Sequence, residues 1–201
     1  MKLRVLLDMD GVIANFYKEF GRFLNEEYGC TLPLDEEPAS YSFNNWGHGV
    51  DRVPIDEASN KWILSGGLQN IPPYEGMEGF VRELMITCNV YVVTARVGDW
   101  QRLLPDNVKD TIKRDTYKWL EKYYIPSEKL YFSHEKIEFC KEHGISVMIE
   151  DKPSTALEAS KNGIHTILMN RGYNGSQIDR FRIYRAYSYD DALKQLRKLE
   201  Q

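Results

Sequence analysis

The chain has 201 residues, 42% hydrophobic and 28% charged, an ordinary composition with enough apolar material for one core domain and a modest insertion. A net charge of −4 argues against a protein that grips nucleic acid nonspecifically, because that task takes a basic face. Cys30, Cys88 and Cys140 are scattered with no CxxC or Cys/His pattern, which argues against a disulfide framework or structural zinc and points to the reducing cytoplasm.

Few apolar residues precede Asp8, too few for a signal peptide, and no run reaches spanning length, so no membrane partner is expected. Residues Leu3 to Leu7 read as a short strand buried on both faces, because apolar side chains follow one another without alternation. Asp8-Met9-Asp10-Gly11 follows, ending in a glycine that permits a sharp turn. Asp-Gly is also a hairpin signal. However, Val12, Ile13, Phe16, Tyr17, Phe20, Phe23 and Leu24 recur with helical spacing, which predicts a helix from Asn15 to Gly29. An EF-hand loop fails as well, since Val12 stands where an oxygen ligand is needed and Ile13 where a glycine is needed.

Residues 30–50 are irregular and aromatic, with Tyr41, Phe43 and Trp46. A helix from Pro54 to Leu64 is broken by Ser65-Gly66-Gly67, and another is predicted from Met77 to Thr87. Val90 to Thr94 is a buried strand followed by Ala95 and Arg96, and Asp106 to Tyr124 is a long amphipathic helix closed by Pro126. Leu130 to Phe132 is a short strand, and Ser133 is the expected N-cap of a helix running through His143 to Gly144. Ser146 to Ile149 is a strand terminating in Glu150-Asp151, Pro153 to Asn162 a helix, and His165 to Met169 a strand. A loop from Asn170 to Gly175, a weak strand near Tyr184 to Tyr187 and a helix from Asp190 capped by Ser188 complete the chain.

Strands alternating with helices imply a parallel sheet with right-handed crossovers, whose ligands bind outside the carboxyl ends of the strands. Polar residues gather at four such ends: Asp8 with Asp10, Thr94 with Arg96, Lys136, and Glu150 with Asp151. A βαβ crossover needs only about 30 residues, so about 50 residues between Asp10 and Thr94 are surplus and read as a cap over that edge. Two like charges at ~4 Å repel by roughly 4 kcal/mol at an effective dielectric of ~20, so Asp8 and Asp10 need an offset. Mg²⁺, which prefers hard oxygen ligands, is the simplest candidate.

Asp8 is the expected nucleophile towards phosphorus and Asp10 the expected acid and base, with Asp8, Asp151 and the Asp10 carbonyl around Mg²⁺. Thr94 is placed on the phosphoryl oxygens. Lys136 stands in the first turn of its helix, where the dipole disfavours a cation, and a broken local rule of that kind marks a clamp on the nucleophile. Arg96 is read either as a contact to phosphate or sugar or as a surface residue. Trp62, Trp100 and Trp119 are read as core or interface, and His48 and His134 as structural residues near the site.

Asp8-Met9-Asp10-Gly11-Val12, Thr94, Lys136 and Glu150-Asp151, in that order, resemble the four motifs of the haloacid dehalogenase superfamily of Mg²⁺-dependent phosphohydrolases. Asp8 to Phe16, Leu68 to Gly79 and Thr116 to Tyr123 are similar to the 5′(3′)-deoxyribonucleotidases. The resemblance implies an α/β fold, a Rossmann-like doubly wound parallel sheet with helices on both faces and a small, mainly helical cap inserted after the first strand. Residues 1–14 and 77–201 would form the core domain and residues 15–76 the cap. It also implies an aspartyl-phosphate on Asp8, the Ala95 amide beside Thr94 and Lys136 on phosphate, and Phe16 and Trp46 stacking on a base. The expected partner is a small phosphorylated substrate, a nucleoside monophosphate, acted on by a monomer or homodimer. A phosphatase for sugar phosphates and a dormant binding protein of the same fold are the alternatives. Glu150 departs from the usual aspartate, and Ala95-Arg96 from the commoner serine after Thr94, which puts the substrate in question.

Overall fold

The strands β1 (Arg4–Leu7), β2 (Asn89–Thr94), β3 (Leu130–Phe132), β4 (Val147–Glu150), β5 (His165–Met169) and β6 (Ile183–Ala186) pair in the order β3-β2-β1-β4-β5-β6. Every pairing is parallel, as crossover connections through helices require. The computed structural model describes residues 2–96, 104–175 and 181–200, apart from the Asn44 side chain. Trp100 lies outside the described residues.

Helices cover both faces, as expected. They are α1 (Phe16–Tyr28), α2 (Ile55–Leu64), α3 (Gly67–Asn70), α4 (Met77–Thr87), α5 (Asp106–Lys122), α6 (Lys136–His143), α7 (Pro153–Lys161) and α8 (Tyr189–Leu199). Strand alternation sorts the core. Val5, Leu7, Val92 and Ile149 face a layer built from Leu84 of α4, Ile112 and Trp119 of α5 and Leu196 of α8. Leu6, Val93 and Met148 face the opposite layer with Ile137 and Cys140 of α6 and Ala159 of α7. This two-sided burial is why the strands read as continuous apolar runs.

Residues between β1 and β2 hold α1 to α4, and the aromatic packing of α1 and α2 (Phe20, Trp62) is continuous with the first of these layers. α2 and α3 pack on α5. Trp119 of α5 is fully buried and donates its indole N–H to the Ile71 carbonyl at 2.8 Å. The expected cap of α8 is present, Ser188 accepting from the Asp191 N–H, and Asn15, read as the start of the first helix, caps α1 by accepting from the Lys18 N–H.

Two local expectations are corrected. Gly67, read as part of the break after α2, instead opens the short helix α3. Ser133 does not cap α6. Its N–H continues the β2–β3 pairing by donating to the Thr94 carbonyl at 3.0 Å, and the N-cap position falls to Glu135. Lys136 is therefore the first residue of α6, at the positive end of the helix.

Candidate active site

The chain leaves β1 outward to β2 and β3, then crosses back to β4 on the other side of β1. Such a switch point opens a crevice at the strand carboxyl ends. Asp8 is the first residue past β1, and its N–H donates to the Ile149 carbonyl at 3.0 Å, so the register sets Asp8 beside Glu150. Asp8 Oδ1 accepts from the Met9 N–H at 2.7 Å, and Oδ2 lies 2.7 Å from Lys136 Nζ. The same ammonium donates to Glu150 Oε2 at 2.8 Å. Lys136 thus bridges Asp8 and Glu150 from the head of α6.

Asp151, the next residue after β4, is held from two directions. Its Oδ2 accepts from the Tyr173 hydroxyl, and its carbonyl accepts from Asn174 Nδ2 at 2.7 Å. Gly11 turns beneath this carboxylate with φ +77°, and a Cβ there would stand 2.2 Å from Asp151 Oδ2. Only glycine meets both demands.

Asp8 and Asp10 each have a cationic side chain of their own. Lys136 serves Asp8. Arg96 Nε donates to Asp10 Oδ2 at 2.8 Å and Nη2 to Oδ1 at 2.6 Å, while Nη1 donates to Thr116 Oγ1 at 3.1 Å. The surface reading of Arg96 is overturned, because its side chain is 5% exposed. The backbone N–H of Arg96 donates to the Thr94 hydroxyl at 3.3 Å.

The crowding that remains lies among Asp8, Glu150 and Asp151, which offer oxygens within 4.8 Å of one another in buried positions. Burial, then the charge of Glu150, pushes the Asp8 carboxyl up to about 8, with Lys136 pulling the other way. Burial and Asp8 push Asp151 up to about 6. Burial also raises Glu150 against the pull of Lys136. For Lys136, burial works against the ammonium, but Asp8 and Glu150 together hold its pKa above the ordinary lysine value. Ionising all three carboxylates around one ammonium would leave two negative charges among hard oxygen donors. That donor set fits a divalent cation.

A cavity of about 500 Å³ joins Asp8, Asp10, Thr94, Ala95, Arg96, Lys136, Glu150 and Asp151 to an aromatic wall of Phe16, Phe43, Trp46 and Trp62. Phe16 meets Trp62 edge-on at 5.3 Å, and Phe43 meets Trp46 edge-on at 4.8 Å. All nine residues singled out as catalytic, metal-binding or substrate-binding therefore line one cavity. Trp62 is core, as read, and also lines the cavity. His134 lines it too, whereas His48 is exposed and is not part of its wall. Sequence reasoning gave Glu150 no role and passed over Tyr173 and Lys152. Glu150 and Lys152 flank a motif already in view. Tyr173 sits in the loop after β5, so applying the strand-end rule once more would have reached it.

The family model described as "5′ nucleotidase, deoxy (Pyrimidine), cytosolic type C protein" matches residues 2–199. A nucleotidase of Clostridium acetobutylicum is 25% identical over 197 residues, covering 94% of this chain and 91% of its own length. A candidate 5′(3′)-deoxyribonucleotidase of Chlorobaculum tepidum is 25% identical over 178 residues, covering 84% of this chain and 79% of its own length. A magnesium-bound crystal structure of a candidate HAD-hydrolase from Bacillus subtilis superposes with a TM-score of 0.61 at 14% identity, over 98% of this chain and 99% of that one. With the parallel sheet, the four strand-end motifs and the match along nearly its whole length, the chain belongs to the deoxy 5′-nucleotidase type C family, phosphoric monoester hydrolases of the haloacid dehalogenase superfamily.

Proposed function

We propose that the protein hydrolyses nucleoside monophosphates, deoxy ones foremost, with Mg²⁺ and through an aspartyl-phosphate on Asp8. The observation that carries this reading is the Asp8 carboxylate held by Lys136 and the Met9 N–H in a cavity whose wall is aromatic. An aromatic wall suits a base and weighs against a sugar phosphate, which would ask for hydroxyl partners. The names of the nucleotidase relatives support the same substrate class.

In this mechanism Lys136 and the Met9 amide fix the rotamer of Asp8, so that one carboxylate oxygen meets phosphorus in line. The Thr94 hydroxyl and the Ala95 N–H donate to phosphoryl oxygens, with Lys136 neutralising charge beside them. Asp10 gives its proton to the leaving alkoxide as the P–O bond breaks, then takes one from the water that opens the aspartyl-phosphate. Asp8, Asp151 and the Asp10 carbonyl would hold Mg²⁺, with Glu150 behind them, and the ion when bound would neutralise the crowded carboxylates and polarise the phosphoryl group. We read residues 15–76 as the cap that carries Phe16 and Trp46 to the base.

No helix among the described residues is long and apolar enough to cross a membrane, and the three cysteines are unpaired. We place the reaction in the cytoplasm, in a monomer or homodimer. The test is phosphate release from a panel of ribo- and deoxynucleoside monophosphates beside sugar phosphates, with and without Mg²⁺. Deoxynucleotides should lead and EDTA should silence the reaction. Sugar phosphates turning over faster than every nucleotide would overturn the substrate assignment.

A further inference from the structure

Arg96 is a buried arginine on the loop that follows β2, and neither the strand pattern nor the phosphate chemistry accounts for where its charge goes. Its guanidinium has five N–H donors. Two grip Asp10 at 2.8 and 2.6 Å, and a third reaches the Thr116 hydroxyl on α5 at 3.1 Å. Thr116 is itself fixed, because its hydroxyl donates to the Ile112 carbonyl at 2.7 Å. Exposure within the pair is unequal: the Asp10 side chain is 30% exposed and that of Arg96 5%. The cavity therefore meets mainly the carboxylate, with the guanidinium behind it.

We propose that Arg96 is a positioning residue for Asp10, a planar fork anchored on α5 that sets the direction in which the Asp10 carboxylate faces the leaving oxygen. The proposal rests on the reading of Asp10 as acid and base. A two-point grip fixes the plane of a carboxylate as well as its place, which a single ammonium cannot do. Proton transfer in the transition state depends on that aim, since the proton moves from the Asp10 carboxyl to the bridging oxygen while the oxygen keeps the electron pair of the broken P–O bond. A substrate that needs no proton on its leaving group does not use the aim in the first step.

The experiment compares kcat/KM, which reports phosphoryl transfer to Asp8, for a deoxynucleoside 5′-monophosphate and for 4-nitrophenyl phosphate, whose leaving group needs no protonation. For Arg96→Ala the nucleotide value should fall about 10- to 100-fold further than the aryl value. The inhibition constant of inorganic phosphate should stay unchanged. Arg96→Lys, which keeps a cation but not the fork, should not restore the nucleotide rate. Thr116→Val, which frees one anchor without touching Asp10, should show the same bias at smaller size. These two variants also carry the test should Arg96→Ala fail to fold.

Equal losses on both substrates would overturn the proposal. With weaker phosphate inhibition they would make Arg96 a phosphate ligand, and with unchanged inhibition a merely structural residue. Asp10→Asn measured in parallel separates the two readings. If it shows the leaving-group bias and the Arg96 variants do not, the assignment of Arg96 alone falls. If Asp10→Asn shows no bias, the acid–base role falls and the proposal with it. In the double variant the two losses should not add, as expected for groups acting as a unit.

Discussion

A single residue, Asp8, ties the chemistry to the stability of the fold. Asp8→Asn should abolish phosphate release, because an amide of the same shape is a poor nucleophile. Retained turnover in that variant would move the nucleophile elsewhere. The metal-free protein should also carry a pH signature. Above about pH 4 the aspartates of an unfolded chain are ionised, while the folded Asp8 and Asp151 keep protons up to about 8 and about 6. The unfolded state then binds fewer protons, so stability should fall as pH rises through that window. Lys136 is charged in both states there and adds no slope. The check is the Tm of EDTA-treated protein at pH 5 and 8.5, where the higher pH should give the lower value. Gly11→Ala, at φ +77° and against Asp151, should lose metal-dependent activity and about 1–2 kcal/mol from the left-handed backbone alone. Denaturant unfolding measures the second part.

Among the elements, the irregular segment before Tyr41 is fastened to the turn after β5. Glu37 accepts from the Tyr74 hydroxyl at 3.0 Å and from the Gly172 N–H at 2.8 Å, and a Cβ at Gly172 would stand 2.8 Å from the Glu37 carbonyl. Arg171 lies 3.8 Å over the Tyr74 ring and adds its charge beside Glu37. Glu37→Ala should free this strap at a cost of about 1.5–3 kcal/mol of local stability, the range for hydrogen bonds to a charged group. Faster hydrogen exchange in residues 33–41, with exchange in β1 and β4 unchanged, is the expected readout. Exchange that rises equally in the sheet would mean that Glu37 supports the whole fold instead. None of this was legible beforehand, because a carboxylate in an irregular segment has no periodicity to say what it faces.

Across the whole molecule, the cavity couples phosphate chemistry in the sheet to aromatics carried by the segment between β1 and β2. Phe16→Ala and Trp46→Ala should each remove roughly 1–3 kcal/mol of stacking with a nucleotide and leave 4-nitrophenyl phosphate nearly untouched. Trp46 is also packed edge-on to Tyr17 at 4.8 Å, and its indole N–H donates to the Ser40 carbonyl at 3.0 Å. Its removal can therefore loosen the wall as well as bare it. The ratio of kcat/KM values for the two substrates separates these effects, since loosening alone would not favour one substrate. An unchanged ratio in both variants would make these aromatics packing only.

The sequence by itself determined the sheet, its longer helices and the polar residues gathered at one edge of the sheet. Continuous apolar runs can be buried only on both faces of a sheet, and parallel strands place Asp8, Thr94, Lys136 and Asp151 at one edge whatever the details of packing. The Asp-x-Asp-Gly turn was legible for the same reason, because local backbone demands are written in neighbouring residues. Tertiary structure alone decided what neutralises what. Lys136 is 14 residues from Glu150 in sequence, and Arg96 is 86 from Asp10. Whether a cation meets a carboxylate, a phosphate or solvent depends on side-chain direction across elements, which no spacing rule carries. The same holds for Trp62. Its ring belongs to the core, and only the packing of α2 against α1 and α5 set it on the wall of the cavity as well.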